Sequence, residues 1–311
     1  MLTDIKSALL ECPVDAGVYL IRPLTERSGF FMTEGHLVYM VVNYEGLQYQ
    51  SLATDYLRLN TDIDITSIRA EQQFPTGRYN ALELLPCDGK YNDEMLDPFV
   101  NLCVAHASYG GDSSFIQFFH SLVSLFQYPK EQSFKNLIGL WGELSFLKFI
   151  FDLTGRDISK YWHASGSADK YDVSIHGFNI EIKTSRSSDN HVTIKHSQLF
   201  NSDRNFLAKV ILEENPAGRT LNQLIAELRG LEDAFCGFDF ALNIEKEKRR
   251  ISPIEAGLIK LHVQSILLYD AKEINPLPEL PATISDLTYK LDVDGKRPIE
   301  VKPFITKLLS C

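Results

Sequence analysis

The sequence predicts an α/β protein, and three observations carry that reading. Residues 1 to about 85 fall into short β-prone runs between Gly and Pro breaks, the spacing of an antiparallel sheet or small barrel. From about 93 to 153 the apolar period changes from two to about 3.6, the mark of amphipathic helices. Around residues 170–184 it returns to two on either side of a two-residue turn, with acidic side chains on one face.

In chain order, strands are expected at 17–22, 30–32, 37–44, 47–59 and 79–85, divided by Pro23, Gly29, Glu45-Gly46 and Pro75-Thr76-Gly77. Tyr39, Tyr44, Tyr49 and Tyr56 lie in these runs. Tyrosine's preference for pleated surfaces assigns them to packing ahead of stacking on nucleic acid. Pro86-Cys87-Asp88-Gly89-Lys90 reads as a linker that closes a β-rich region at 1–88. A helical connector at 89–130 follows, with helices at 93–107 and 112–128 broken at Tyr109-Gly110-Gly111 and stopped by Pro129. His106 and His120 fall inside these helices and read as structural histidines.

The segment 131–215 carries the chemistry. Its helix, 131–153, ends at Thr154-Gly155 and places Leu140, Glu143, Leu147 and Ile150 on one face, at steps of three, four and three. A carboxylate within an apolar stripe requires a partner, because an unpaired buried charge costs several kcal/mol. That partner is a bound metal, a lysine such as Lys183, or hydrogen-bonding backbone. After a polar loop from Trp162 to Lys170 comes a hairpin turning at His176-Gly177. Its register pairs 175 with 178, 174 with 179 and 173 with 180, and sets Asp172 opposite Glu181 with Lys183 on the same face. Val173, Ile175, Ile180 and Ile182 make the other face apolar, so the hairpin packs on something and the carboxylates are held. Directly opposed like charges, with Cβ atoms about 4.5–5.5 Å apart, are destabilising unless a cation lies between them. Hard oxygen ligands suit Mg²⁺ or Mn²⁺. The competing reading is a solvated face whose charges only confer solubility.

A strand at 191–195 and a helix capped by Ser197 and opened by Gln198 follow, then a strand at 207–212. The remainder, 216–311, reads as an α+β segment. It has a helix at 220–235, strands at 238–244, 258–269 and 287–293, a charged run at 245–250, and proline-rich 275–281. Lys246, Lys248, Arg249 and Arg250 are candidates for phosphate contact, although two glutamates interrupt the run and favour a solvated loop.

Composition narrows the setting. Cys12, Cys87, Cys103, Cys236 and Cys311 are scattered and odd in number, which opposes a disulfide framework or zinc site and implies a reducing, cytoplasmic location. No signal pattern or long apolar run indicates secretion or membrane spanning. The net charge of −10 opposes approach to DNA, but 131–210 alone carries +1 and holds four of the eight histidines. Dependence on a partner follows from that acidity.

Asp172, followed after eight residues by Glu181-Ile182-Lys183, resembles the PD-(D/E)XK signature of restriction-endonuclease-like nucleases. Gly139-Leu140-Trp141-Gly142-Glu143-Leu144, Trp162 with Gly166, and His191-Val192-Thr193-Ile194 leading into Ser197-Gln198-Leu199 extend the resemblance over 135–200. Tyr171 stands where the signature has proline. The resemblance implies a restriction-endonuclease-like core, a mixed sheet flanked by helices, and Mg²⁺- or Mn²⁺-dependent hydrolysis of DNA in a bacterial restriction or defence context. It implies that Asp172, Glu181 and the Ile182 backbone carbonyl bind the metal, with Glu143 as a supplementary ligand. Lys183 then activates water, and Gln198 contacts the phosphate or the attacking water. A homodimer or partner subunits are the expected assembly, and a non-catalytic nucleic-acid-binding or scaffold subunit is the alternative.

Overall fold

The structure is a computed structural model that describes residues 2–11, 17–70, 73–86, 90–109, 114–127, 133–164, 171–186, 191–199, 204–231, 234–274 and 287–309. The centre of the expected linker, Gly110-Gly111, Gly166 and the proline-rich stretch at 275–281 lie outside the described residues. The chain divides into two compact units, Met1–Pro129 and Lys130–Cys311. The sequence-derived divisions at 88 and 215 fall inside them. No helix among the described residues is long and apolar enough to cross a membrane.

The first unit holds α1 (Leu2–Glu11), then β1 (Val18–Thr25), β2 (Ser28–Thr33), β3 (His36–Val42), β4 (Gln50–Ala53), β5 (Leu57–Ile65) and β6 (Gly77–Leu84). Two helices, α2 (Asp93–Tyr109) and α3 (Phe115–Gln127), complete it. The strands pair antiparallel throughout in the order β1-β2-β3-β6-β5-β4. Both faces of the sheet's centre are covered, so β2 and β3 are buried along nearly their whole length. Phe31, Val38, Met40, Tyr79 and Ala81 form the core on one side. Phe30 and Tyr39 pack the other way, against Phe99 and His106 of α2 and Phe115 and Phe118 of α3. The expected strand at 47–59 is two strands. Thr54 Oγ1 accepts the Leu57 N–H at 3.1 Å and the Tyr56 N–H at 3.3 Å, a local turn that competes with extended pairing.

The second unit begins with α4 (Phe134–Thr154), bounded by the Ser133 cap and by left-handed Gly155 at φ 70°. Next come a 3-10 turn at Ser159–Tyr161, β7 (Val173–Ile175), β8 (Phe178–Arg186), β9 (His191–Lys195), α5 (His196–Leu199) and β10 (Asn205–Arg219). The unit continues through α6 (Leu221–Arg229), α7 (Phe238–Lys248), α8 (Pro253–Leu258), β11 (Leu261–Asp270), α9 (Ala271–Ile274), β12 (Thr288–Asp292) and α10 (Val301–Leu308). Its main sheet is mixed, ordered β11-β10-β8-β7, with β8 and β10 parallel and the outer pairs antiparallel. Val173, Ile175, Ile180, Ile182, Ala208 and Val210 form one core with Leu140, Trp141, Leu144 and Leu147 of α4. A smaller core joins Leu207 and Tyr269 to Val192, Ile194 and Leu199, and a two-stranded sheet pairs β9 with β12.

One expected strand, 238–244, is the helix α7. Phe238, Phe240, Leu242 and Ile244 imitate a period of two, yet Phe240, Ala241, Ile244 and Glu245 are all buried, which is helical spacing. The charged run is the end of that helix. Glu245, 1% exposed, pairs with Arg229 and Lys248, and Glu247 pairs with Arg250. The helix expected at 220–235 ends at Arg229.

Candidate metal centre

The hairpin sets the geometry. His176 and Gly177 both take positive φ, 48° and 80°, the combination a two-residue type I′ turn demands. The pairing of 175 with 178, 174 with 179 and 173 with 180 follows as expected. Pairing stops there, so Asp172 is not a ladder partner of Glu181. Its side chain takes the next ladder position instead, Oδ2 accepting the Ile182 N–H at 2.6 Å. The N–H and C=O of one strand residue point to the same edge, so the Ile182 carbonyl also faces the Asp172 side.

Glu181 is fixed from two directions. Its Oε1 accepts from Lys183 Nζ at 2.5 Å and from Gln198 Nε2 at 2.7 Å. The helix expected to be capped by Ser197 and opened by Gln198 starts earlier, at His196, and within it the Gln198 Oε1 accepts the Lys195 N–H at 3.1 Å, which locks the amide. The other carboxylate oxygen, Glu181 Oε2, is buried without a hydrogen-bond partner among the described residues. Tyr171, at the signature's proline position, donates its hydroxyl to the Ser197 carbonyl at 3.4 Å and accepts from Asn205 Nδ2 at 2.9 Å. It thereby ties the Asp172 segment to α5 and β10.

Glu143 arrives from α4. Its partners are Trp162 Nε1 at 2.9 Å and His163 Nε2 at 3.0 Å, rather than Lys183 or backbone. One ligand atom each from Glu143, His163 and Asp172 lies within 4.8 Å of the others. His163 sits in the left-handed region at φ 47°, its N–H donating to the Asp172 carbonyl at 3.0 Å. Asn243 Nδ2 of α7 donates to the Trp162 carbonyl at 3.2 Å and reaches the His163 carbonyl at 3.5 Å.

The electrostatics are those of a site short of positive charge. Burial, then the charges of Glu143 and Glu181, push the Asp172 carboxyl well above the usual carboxylate range; the Ile182 N–H and Lys183 oppose this without cancelling it. Burial raises Glu181 as well, against the pull of Lys183. Burial alone lowers His163, but its hydrogen bond to Glu143 and the neighbouring carboxylates outweigh that and raise it. A divalent cation would offset the repulsion among these carboxylates, and Glu181 Oε2, without a partner among the described residues, is a hard oxygen of the kind such an ion takes.

The structure groups Glu143 and Asp172 with His163, the three ligand atoms lying within 4.8 Å of one another, while Glu181 stands outside that group, held by Lys183 and Gln198 and interacting electrostatically with Asp172 and Glu143. Sequence reasoning missed His163. It enters from a loop where no period exposes it, and the one available signal was a histidine following Trp162 shortly before the hairpin.

Fold and site define a mixed α/β protein whose main sheet carries a cluster of acidic side chains beside a lysine. The chain belongs to the family described as "Putative PD-(D/E)XK family member, (DUF4420)", whose model matches residues 50–294. That family suggests nuclease-type activity, and such nucleases generally use divalent metals. No curated protein and no solved structure matches the chain.

Proposed function

We propose that this chain is a divalent-metal-dependent nuclease that hydrolyses DNA phosphodiesters, with the sheet of the second unit as a restriction-endonuclease-like core. The observation that carries the reading is Glu181: a buried carboxylate with one oxygen unpartnered, raised by burial, electrostatically coupled to Asp172 and Glu143, and salt-bridged to Lys183. Asp172, Glu181, the Ile182 carbonyl and Glu143 would hold Mg²⁺ or Mn²⁺. When bound, the ion supplies Lewis-acid polarisation of a phosphoryl oxygen and a lowered pKa for coordinated water. Lys183 places a point charge beside the Glu181 carboxylate, where it orients the attacking water and offsets charge developing on the phosphoryl group. Gln198 positions Glu181 through the 2.7 Å hydrogen bond. Trp162 positions Glu143 through its indole N–H. Restriction-type defence is the setting this chemistry fits, with partner subunits or a homodimer compensating for the acidic chain.

Cleavage of supercoiled and linear DNA by the purified chain in Mg²⁺ or Mn²⁺, beside Asp172→Ala and Lys183→Ala proteins prepared identically, tests this. Metal-dependent cutting lost in both variants is the expected result. Activity equal in all three proteins would overturn the assignment. DNA binding without cutting would support the nucleic-acid-binding subunit instead.

A further inference from the structure

We propose that His163 Nε2 is a direct metal ligand, and that this nitrogen makes the centre prefer Mn²⁺ to Mg²⁺; the inference rests on the metal-dependent reading above. Its basis is positional. His163 Nε2 lies 3.0 Å from Glu143 Oε2, and Asp172 joins the pair with all three ligand atoms inside 4.8 Å. Two cis ligands on an octahedral ion with bonds of about 2.1 Å lie about 3 Å apart, so the His163–Glu143 separation is that of a ligand pair as well as of a hydrogen bond. The ring is held there by backbone: the His163 N–H is spent on the Asp172 carbonyl, and φ 47° is a conformation that non-glycine residues seldom adopt. A second, independent pointer is Glu181 Oε2, buried and unpartnered among the described residues, on a carboxylate whose side chain is 3% exposed and which interacts electrostatically with both Glu143 and Asp172. Carboxylate, carbonyl and water oxygens alone suit Mg²⁺ or Mn²⁺ about equally in kind, whereas an imidazole nitrogen suits first-row transition ions and is poorly matched to Mg²⁺.

The test titrates Mn²⁺ and Mg²⁺ separately into the full chain and into His163→Asn and His163→Gln, read by calorimetry and by tryptophan fluorescence. Trp162 is one of two tryptophans, and its N–H donates to the Glu143 oxygen that the ion would take. Asparagine tolerates the left-handed backbone but is too short to place an atom where Nε2 lies, while glutamine offers only a hard amide group there. The wild type is expected to bind Mn²⁺ more tightly than Mg²⁺. His163→Asn should lose about tenfold in Mn²⁺ affinity and leave Mg²⁺ affinity close to wild type. Electron spin-echo spectra of the Mn²⁺-loaded wild type should show nitrogen modulation that both variants lack. Absence of that modulation in the wild type, its persistence in the variants, or equal weakening of both ions would overturn the proposal and leave His163 as a hydrogen-bond partner of Glu143. If His163→Asn fails to fold, judged by metal-free thermal denaturation, His163→Gln decides alone. Metal-dependent cleavage that requires Asp172, with ion preference unaffected at 163, removes this inference and keeps the nuclease reading. No ion binding to the wild type at all removes both.

Discussion

Asp172 and Glu181 sit where their charges are disfavoured, and that gives single substitutions opposite signs. The folded-state pKa of Asp172 is raised, so the folded chain holds a proton that the unfolded chain has released. Metal-free stability therefore falls as pH rises from the ordinary carboxylate range through the raised value. Asp172→Asn keeps an acceptor for the Ile182 N–H and removes one like charge. At neutral pH it should raise the metal-free Tm by about 2–4 °C, the shift about 1 kcal/mol produces in a unit of this size, while abolishing cleavage. Lys183→Ala should do the reverse to stability, costing about 1–3 kcal/mol because Glu181 loses its cation. Thermal denaturation of the two variants without metal checks both signs, and a lowered Tm for Asp172→Asn would show that its charge is stabilising. At this scale much was legible. A two-residue turn fixed the register that brings Asp172 near Glu181 and Lys183, and an apolar stripe exposed Glu143. His163 was not legible, since its position depends on a left-handed backbone and on tertiary contacts with Glu143, Asp172 and Asn243.

The close approach of α4 to β8 is made at Gly142, which faces Thr184 of β8. A Cβ added at Gly142 would come within 1.9 Å of Thr184 Oγ1, one residue past Lys183, whereas no atom of the described residues lies within 4 Å of a Cβ added at Gly139. Gly142→Ala should therefore cost about 1–3 kcal/mol and depress cleavage further by shifting β8. Gly139→Ala, one turn earlier, should be neutral or stabilising by up to about 1 kcal/mol through helix propensity. Thr184→Ala in the Gly142→Ala background removes the nearest atom but leaves its Cβ at 2.9 Å, so recovery should be partial. Denaturant melts of the three proteins decide it, and equal stability of the two glycine variants would mean that α4 can lift without penalty. Element types were readable where one period dominated, as in α4, β8 and β10. They failed at α7, where alternating aromatics overlie a helix whose burial is set by neighbours, and at 47–59, where a threonine turn splits one apparent strand into two.

At the scale of the whole molecule, the two units carry different chemical sensitivities, and these can be separated. The candidate metal centre lies wholly within Lys130–Cys311, whereas Met1–Pro129 buries His106 against Tyr39, Phe115 and Phe118 with Tyr39 Oη 3.0 Å from Nδ1. Burial lowers that histidine to about 4. Its unfolded counterpart takes up a proton near 6.5, so the unfolded state binds more protons between those values and stability falls as pH drops through the window. The full loss is about 3 kcal/mol, from about 1.36 kcal/mol per unit. Metal acts on the other unit: an ion that binds only the folded state adds about 2.7 kcal/mol at a hundredfold excess over Kd. Hydrogen exchange read by mass spectrometry should show Mn²⁺ or Mg²⁺ protecting peptides from α4, β8 and α5, and acidification from pH 6.5 toward 4 opening peptides from β2, β3, α2 and α3. His106→Phe should remove most of the acid sensitivity of the first unit while leaving the metal response of the second intact. Acid lability that persists in His106→Phe would place its origin in other groups of that unit, and metal protection absent from α4 and β8 would remove the ion from Glu143 and Glu181.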